Sequence, residues 1–362
     1  MEGLLVSKKL TINSYRKNYN LHIFSKKDSQ KLEDIIFKAS NKSFLVIDEN
    51  VNRLYPHIQN YWDNDKIFVI RACEENKTLE KCSDLIDKLI KKGFKKDHRL
   101  VAVGGGVIQD IVAFSSSILY RGVDWIFFPT TLLAQSDSCI GSKTSINFSS
   151  TKNLLGTFFP PSEIYCFSNF LDTLSIEDIK SGIGEILHYY FVDRNKNIDL
   201  LNRQYNKLLS DRSLLSNHIL ESLLIKKKMV EIDEFDDNKR RVFNYGHTFG
   251  HALEVISEFK VLHGLAVTRG MDIANYVAFR LGMIRESNYR SMKESLKKNI
   301  PDYKMKPENI ENYMSLLRKD KKSTSTSIRC VLPSSTGFMK LVSIENSNDL
   351  SEIIKDYLDK EW

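Results

Sequence analysis

Short apolar runs alternate with a helical pattern in the first half of the 362-residue chain. Ser43–Ile47 and Lys66–Ile70 are rich in strand-forming residues, and a third such run, Arg99–Val103, follows later. Between the second and third runs, Leu79–Lys92 has apolar residues at the spacing of one helix face. Strands that alternate with helices predict an α/β domain with a mostly parallel sheet.

Three glycines, Gly104–Gly106, connect the third run to Val107–Tyr120, an apolar segment typical of a buried helix. Glycines at a strand-to-helix turn let a phosphate approach the backbone N–H groups at the helix N-terminus. The segment is not the GxGxxG pattern of dinucleotide-binding turns, so a tight turn without a ligand is an open alternative. After the next predicted strand, Trp125–Phe128, the hydroxyls of Thr130 and Thr131 could bind a nucleotide or cap a helix.

The pattern changes in the middle of the chain. Asp137–Asn153 is the most polar and least periodic stretch of the first half, which predicts a loop that carries ligand-binding groups. Helical patterns prevail from about Leu174, so we place a boundary near Thr173–Glu177 and predict domains at residues 1–175 and 176–362. The predicted elements of the second domain are helices at Ile183–Val192, Leu214–Val230 and Ala266–Leu281, and strands at Ser327–Leu332 and Phe338–Val342.

The composition is that of an ordinary globular protein, with 27% charged and 42% apolar residues. The net charge of +7 is spread along the chain, except for the clusters Lys226–Lys228 and Lys239–Arg241, which favour a pocket for a small anion over a nucleic-acid surface. Five cysteines without a CxxC pair indicate neither a disulfide framework nor a thiolate zinc site. With no signal peptide and no membrane-spanning apolar run, we expect a soluble cytoplasmic protein without a membrane or nucleic-acid partner.

Three histidines stand close together in Asn244–Gly264. His247 and His251 are four residues apart, so on a helix they share a face from which both could bind one metal ion, and His263 follows within reach. Hydrogen-bonded histidines without a metal are the alternative. Thr248 occupies the position of the glutamate in the HExxH signature, which argues against a zinc peptidase.

Several motifs occur together and in order: GGGVIQD, YRGVDWIFFPTTLLAQSDS, GSKTSIN with TKN, SGIGEIL, NYGHTFGHALE and LHGLAV with GM. In this order and spacing they resemble the 3-dehydroquinate synthases and, more broadly, the sugar phosphate cyclases. The resemblance implies an α/β N-terminal, Rossmann-like NAD-binding domain and a mainly α-helical, metal-binding C-terminal domain. It also implies a homodimer.

The resemblance implies a metal site different from the histidine pair. Its ligands would be Glu185, His247 and His263, holding zinc or cobalt, whereas His251 would lie near the phosphate and the reacting centre. One carboxylate and two imidazoles with open positions for substrate suit a divalent metal that acts as a Lewis acid. The implied catalytic residues are Asp137, Lys143 and His251.

The NAD and substrate sites also follow from the resemblance. The implied NAD site consists of Asp48, Asn50, Glu74, Lys77, Gly105, Gly106, Val107, Asp110, Thr130, Thr131, Leu133, Lys152, Thr173, Leu174 and Asp178. The implied substrate site consists of Arg121, Lys143, Asn153, His188, Lys226, Arg240, Asn244, His251 and Lys321, with Asp137 and Lys152 beside it. Within this set Lys226 and Arg240 would clamp a carboxylate, and Arg121 would reach across the dimer interface.

The implied reaction is a closed redox cycle on a phosphorylated seven-carbon acid, 3-deoxy-D-arabino-heptulosonate 7-phosphate. NAD oxidises one hydroxyl, phosphate is eliminated, the hydride returns, and ring opening with an intramolecular aldol step gives 3-dehydroquinate. No net oxidation occurs. The protein contributes positioning and electrostatics, while metal and cofactor supply the reactivity.

Three positions depart from the family pattern. His188 stands where the family has a lysine, Ser142 replaces a glycine, and Leu265 replaces a glutamate. The change at His188 puts the substrate in question more than the type of reaction. The alternatives are a cyclase for sedoheptulose 7-phosphate or an aminated analogue, an NAD-dependent metal alcohol dehydrogenase, and a non-catalytic binding protein.

Overall fold

The computed structural model describes residues 8–149, 151–194, 197–319, 327–335, 338–345 and 347–360. Within these ranges the chain folds as two compact units. The first comprises the described residues of Met1–Ser175 together with Asp211–Phe235, and the second comprises those of Ile176–Ser210 and Asp236–Trp362. The domain limits 1–175 and 176–362 stay a prediction, and the packing differs from them over Asp211–Phe235.

The strands of the described residues fall into three sheets. The strands are β1 (Lys8–Ile12), β2 (Tyr19–Phe24), β3 (Ser43–Asp48), β4 (Ile67–Ile70), β5 (Arg99–Gly104), β6 (Asp124–Pro129), β7 (Ile146–Phe148), β8 (Thr151–Leu155), β9 (Glu163–Phe167), β10 (Ile328–Pro333) and β11 (Met339–Ile344). The helices are α1 (Lys31–Ser40), α2 (Glu49–Leu54), α3 (Leu79–Lys91), α4 (Gly106–Ile118), α5 (Ile176–Val192), α6 (Asn197–Ser210), α7 (Leu215–Ile232), α8 (His247–Ile256), α9 (His263–Arg280), α10 (Glu286–Leu296), α11 (Ile310–Lys319) and α12 (Ser347–Lys360). Among the helices of the described ranges, none is long and apolar enough to cross a membrane.

The first unit is built on a seven-stranded sheet with the order β1-β2-β9-β6-β5-β3-β4. In this sheet β1 and β2 are antiparallel. The other neighbouring pairs, β2–β9, β9–β6, β6–β5, β5–β3 and β3–β4, are all parallel. The predicted α/β class with a mostly parallel sheet is therefore confirmed. Apolar side chains on β3, β5 and β6 are fully buried, as expected for strands covered on both faces.

Helix α7 belongs to the first unit, although we predicted it in the second domain. Ser222 on this helix donates a hydrogen bond to the backbone oxygen of Ser136 (2.8 Å), and Lys226 pairs with Asp137. Both partners lie in a short π-helical segment, Ala134–Ser138. These long-range contacts leave no signature in the periodicity of α7, so its position could not be predicted from the local pattern.

The polar stretch Asp137–Asn153 is more regular than the loop we predicted. It contains β7 and the start of β8, which pair as an antiparallel hairpin. Their strand character was hidden because the hairpin carries polar side chains such as Asn147 and Asn153, which make hydrogen bonds inside the unit.

The second unit is mainly helical, with one hairpin formed by β10 and β11. Helix α9 packs against both α5 and α8 at close range. A Cβ atom on Gly184 would lie 2.0 Å from the backbone oxygen of Gly264, and one on Gly270 would lie 2.0 Å from that of Gly246. Glycine is required at these crossings, and the close packing brings the N-terminal ends of α8 and α9 next to the middle of α5.

Candidate metal centre and nucleotide site

The predicted NAD-site residues of the first unit begin along one edge of its sheet. Strands β3, β5 and β6 are parallel neighbours, so their carboxyl ends lie side by side. Asp48 ends β3, the glycine turn Gly104–Gly106 follows β5, and Thr130 with Thr131 follows β6. This is the edge at which open α/β sheets bind their ligands.

The glycine turn and the threonines have clear structural roles. A Cβ on Gly104 would lie 2.5 Å from Cγ1 of Ile108, and one on Gly105 would lie 3.0 Å from Cγ2 of Thr131. Thr131 Oγ1 accepts a hydrogen bond from the backbone N–H of Ala134 (3.1 Å). This hydroxyl therefore caps the helical turn that follows it, which is one of the two roles considered for the threonines. Both the tight turn and a phosphate-binding role are compatible with this geometry.

A buried charge cluster lies in the same unit. The Nζ atom of Lys77 is 3.1 Å from Oδ2 of Asp110, 3.5 Å from Oε1 of Glu74 and 2.6 Å from Oδ1 of Asn153. Lys152 lies at the edge of the cluster, with Nζ 4.0 Å from Oε1 of Glu74. The structure therefore brings together five of the predicted ligand-binding residues, which are separated by up to 79 positions in the sequence.

Burial sets the charge state of this cluster. Loss of solvent raises the pKa of Asp110 to about 6, although the ammonium of Lys77 opposes the shift. Burial disfavours the charged form of Lys77, but the carboxylates of Asp110 and Glu74 outweigh it and raise the pKa of the amine. Lys77 is thus held as a cation inside the unit by its two carboxylate partners.

Two residues of the cluster were not predicted. Asn147 donates to the side chain of Glu74 (2.9 Å) and accepts a hydrogen bond from the backbone N–H of Asn153 (2.9 Å). The backbone N–H of Ser145 donates to Asp110 Oδ1 (2.9 Å). Both lie on or beside β7, whose polar composition was interpreted as a loop.

The remaining predicted NAD contacts are distributed over several elements. Asp48 caps α2 by accepting a hydrogen bond from the backbone N–H of Asn50 (3.1 Å), and burial raises the pKa of its carboxyl. Thr173 is 3.2 Å from the hydroxyl of Tyr55. Val107 is in the first turn of α4, Leu133 precedes the π-helical segment, and Leu174 follows a 3₁₀ turn. Asp178 lies in the second unit, in the first turn of α5.

The three predicted metal ligands converge in the second unit. Glu185 is on α5, while His247 and His263 are the first residues of α8 and α9. Oε1 of Glu185 is 3.6 Å from Nε2 of His247 and 3.2 Å from Nε2 of His263. The carboxylate is 1% exposed.

Both imidazoles are oriented by a second contact on the opposite ring nitrogen. Nδ1 of His263 is 3.1 Å from Oε2 of Glu254, and Nδ1 of His247 is 3.1 Å from the backbone oxygen of Tyr245. Such contacts fix the tautomer and leave Nε2 to face a metal. Glu254 was not predicted, because its partner belongs to the following helix.

The residues fit a divalent metal. Metal–ligand bonds of about 2.1 Å in a tetrahedral site place the ligand atoms about 3.4 Å apart. The distances from Oε1 of Glu185 to the two Nε2 atoms, 3.2 Å and 3.6 Å, lie on either side of this value. Oε1 of Glu185 is buried and accepts no hydrogen bond from the residues that the structure describes. Burial disfavours the imidazolium of His263, yet the carboxylates of Glu254 and Glu185 raise its pKa well above the usual range. The same negative field favours a cation.

His251 lies beside this trio. Its ring centroid is 5.4 Å from that of His247 and 5.5 Å from that of His263. Its ligand atoms group with Glu254 and His263 rather than with Glu185. The pairing of His247 with His251 suggested by spacing is thus replaced by the wider set implied by the resemblance, although the roles of all these residues stay predictions.

His188, a predicted substrate contact, lies beside the predicted metal ligands. Its side chain is 1% exposed, with Nδ1 3.8 Å from Oε2 of Glu185 and its ring centroid 4.9 Å from that of His247. The rings of Tyr189 and Phe243 pack edge-on against it. The side chain therefore borders two of the predicted metal ligands, and its role stays a prediction.

The predicted substrate residues are divided between the units. In the first unit, Nζ of Lys226 donates to Oδ1 (2.7 Å) and to the backbone oxygen (2.8 Å) of Asp137. Lys143 and Arg121 are exposed, and Arg121 has a positive φ of 61°. In the second unit, Arg240 is buried and Asn244 donates to the backbone oxygen of Arg241 (3.0 Å). Lys321 lies outside the described residues.

Comparisons with known proteins cover most of the chain. The family models of the N-terminal and C-terminal parts of 3-dehydroquinate synthase match residues 67–181 and 182–323. The 3-dehydroquinate synthase of Clostridium tetani is 34% identical over 321 residues, which are 87% of this chain and 86% of that protein. That of Dictyoglomus turgidum is 34% identical over 350 residues, or 96% and 98% of the two chains.

Solved structures share the fold. A 2-epi-5-epi-valiolone synthase from Streptomyces hygroscopicus subsp. jinggangensis, with NAD⁺ and Zn²⁺ bound, has a TM-score of 0.82 and 23% identity over 96% of this chain and 99% of that one. A 2-deoxy-scyllo-inosose synthase in complex with carbaglucose-6-phosphate, NAD⁺ and Co²⁺ has the same score, identity and coverage. An iron-containing alcohol dehydrogenase from Thermotoga maritima is more distant, with a TM-score of 0.61 and 14% identity over 94% and 97% of the two chains.

Proposed function

The chain belongs to the 3-dehydroquinate synthase family, and we propose that it converts 3-deoxy-D-arabino-heptulosonate 7-phosphate to 3-dehydroquinate and phosphate. The observation that carries this proposal is the convergence of Glu185, His247 and His263, which each offer one ligand atom within 4.8 Å of the others. The separation of these residues along the chain means that only the fold unites them.

In this proposal Glu185, His247 and His263 hold the metal, and the charge cluster around Lys77 and Asp110 belongs to the NAD site. When bound, the metal would supply Lewis-acid polarisation and NAD a reversible hydride acceptor. Glu254 and the backbone oxygen of Tyr245 keep the two imidazoles in the ligating tautomer. The relatives with NAD⁺ and either Zn²⁺ or Co²⁺ support the choice of NAD and of zinc or cobalt.

Recognition of an acid substrate is assigned to Lys226 and Arg240. Both side chains are buried, and a cation that is withdrawn from water forms strong charge-assisted hydrogen bonds with a carboxylate. A sugar phosphate without a carboxylate would have no use for this pair, so we favour the seven-carbon acid over sedoheptulose 7-phosphate. Lys143, His251 and Asp137 are assigned to the reacting centre.

One assay tests the reaction. The purified protein is incubated with NAD, Zn²⁺ or Co²⁺ and 3-deoxy-D-arabino-heptulosonate 7-phosphate, while phosphate release and NADH absorbance are followed together. The proposal expects phosphate release without accumulation of NADH. Steady NADH production would indicate a dehydrogenase, and turnover of sedoheptulose 7-phosphate alone would overturn the substrate assignment.

A matched pair of variants tests acid recognition. Arg240→Met removes the buried guanidinium, whereas Arg241→Met removes its exposed neighbour. We expect Arg240→Met to lower kcat/KM for the acid substrate by about 30-fold or more, because a buried charged contact is lost. Arg241→Met should stay close to the wild type. A homodimer in which Arg121 reaches the partner's site, and a cytoplasmic location, are further parts of the proposal.

A further inference from the structure

The turn that carries Lys143 is held in an unfavourable backbone conformation. Ser142, which replaces the family glycine, has a φ of 64°, in the left-handed region that disfavours residues with a Cβ atom. Such a conformation persists only where surrounding contacts hold it. The side chain of Ser142 is buried, whereas that of the adjacent Lys143 is exposed.

Several contacts hold this turn on both sides. The backbone N–H of Gly141 donates to the hydroxyl of Tyr19 (3.0 Å), and the backbone oxygen of Ser142 accepts from the N–H of Phe159 (2.6 Å). The hydroxyl of Ser142 donates to Oε1 of Glu234. Of these contacts, only the last depends on the serine side chain.

Glu234 fastens a second segment at the same time. Its Oε1 also accepts from the hydroxyl of Ser14 (2.8 Å), and its Oε2 accepts from the backbone N–H of Tyr15 (2.7 Å). The ring of Tyr15 packs edge-on against Phe235, the next residue, with centroids 5.8 Å apart. The carboxylate therefore joins the Lys143 turn to the connection between β1 and β2.

We propose that Glu234 is a positioning residue for Lys143 and acts through the hydroxyl of Ser142. The carboxylate stabilises the left-handed conformation that Ser142 would otherwise leave, and this fixes the direction in which the chain presents Lys143. The catalytic part of this inference rests on the proposed function, while the conformational part rests only on the contacts within the first unit.

Four variants separate the contributions. Ser142→Ala keeps the Cβ atom and removes the hydroxyl, and Glu234→Gln weakens the acceptor because one oxygen is replaced by an amide group. Ser142→Gly removes the hydroxyl but tolerates a positive φ, so it should rescue the turn. Glu231→Gln is the control, since the described hydrogen bonds of Glu231 are with the backbone N–H of Asn13 and with Lys227.

Hydrogen–deuterium exchange of the free protein measures the turn without any substrate. We expect the amides of residues 141–144 to exchange about tenfold faster or more in Ser142→Ala and Glu234→Gln, and at near wild-type rates in Ser142→Gly and Glu231→Gln. Unchanged exchange in both Ser142→Ala and Glu234→Gln would overturn the proposal.

Kinetics with 3-deoxy-D-arabino-heptulosonate 7-phosphate, NAD and Zn²⁺ measure the effect on Lys143. Misplacement of a reacting group lowers kcat, so we expect a loss of about 10-fold to 100-fold in Ser142→Ala and Glu234→Gln, with recovery in Ser142→Gly and little change in NAD affinity. If Ser142→Ala and Glu234→Gln exchange faster but keep the wild-type kcat, the contact between Ser142 and Glu234 only stabilises the turn. That result would overturn the positioning role of Glu234. A wild-type protein that turns over no such substrate would instead contradict the proposed function, and the exchange result would still decide whether the contact holds the turn.

Discussion

Oε2 of Glu254 lies 3.1 Å from Nδ1 of His263, while Nε2 of the same ring lies 3.2 Å from Oε1 of Glu185. The imidazole is thus placed between two carboxylates, one that orients it and one that would share a metal with it. This arrangement couples the C-terminal half of α8 to the first residue of α9.

Loss of the orienting carboxylate should weaken metal binding without abolishing it. We expect Glu254→Gln to lower the affinity for Zn²⁺ by about 10-fold to 100-fold, because the contact that fixes the tautomer of His263 is weakened. Competition with a chromogenic chelator measures the affinity. A variant with wild-type affinity would show that the ring is oriented by packing alone.

Loss of the buried ligand should have a larger effect. In Glu185→Ala, the carboxylate that faces both Nε2 atoms is removed, and we expect the purified protein to retain no stoichiometric metal by elemental analysis. Glu258→Ala is a suitable control, since its exposed carboxylate pairs only with the exposed Lys260 among the described contacts. Unchanged metal content in Glu185→Ala would reject the ligand set.

His188 offers a test between two roles. His188→Phe keeps a ring among Tyr189 and Phe243 but removes the nitrogen that lies 3.8 Å from Glu185. If the imidazole supports the metal ligands, Zn²⁺ affinity should fall about tenfold while KM for the substrate changes little. A raised KM with unchanged Zn²⁺ affinity would instead support the direct substrate contact that we predicted from the sequence.

The sequence predicted the parts of the fold that depend on local pattern. Strands β3 to β6 are uniform apolar runs, and the glycines after β5 are required by the close approach of Ile108 and Thr131. Strand β1, which was not predicted, is short and mostly exposed at the sheet edge, so its composition carries little strand signal. Glu254 and the place of α7 depend on partners in other elements, and no single-sequence pattern contains that information.

The crossing of α5 and α9 should tolerate no side chain. A Cβ atom on Gly264 would lie 1.7 Å from the backbone oxygen of Ser181, so Gly264→Ala must push the two helices apart. We expect a loss of about 3 kcal/mol in unfolding free energy and a weaker metal site, since His263 is the adjacent residue. Gly106→Ala is the control for thermal unfolding, because its Cβ would meet nothing closer than 3.9 Å. Equal melting temperatures for the two variants would contradict the packing argument.

A buried histidine should make the first unit sensitive to mild acid. His218 is 3% exposed on α7, and burial lowers its pKa to about 4, below the value of about 6.5 for an unfolded chain. The folded protein therefore binds fewer protons at this site than the unfolded chain. The stabilisation is fully present above about pH 6.5 and is lost as the pH falls toward about 4. Between about pH 7.5 and about pH 5 the loss from this residue is on the order of 2 kcal/mol.

Other groups titrate in the same interval, so the measurement is a difference between two proteins. His218→Gln has no titrating side chain at this position. Between about pH 7.5 and about pH 5, its unfolding free energy should therefore fall by about 2 kcal/mol less than that of the wild type. Denaturant unfolding followed at each pH gives both slopes, and metal is removed from both proteins beforehand. Parallel pH profiles would mean that His218 keeps an ordinary pKa in the folded chain, through relaxation of α7 or entry of water.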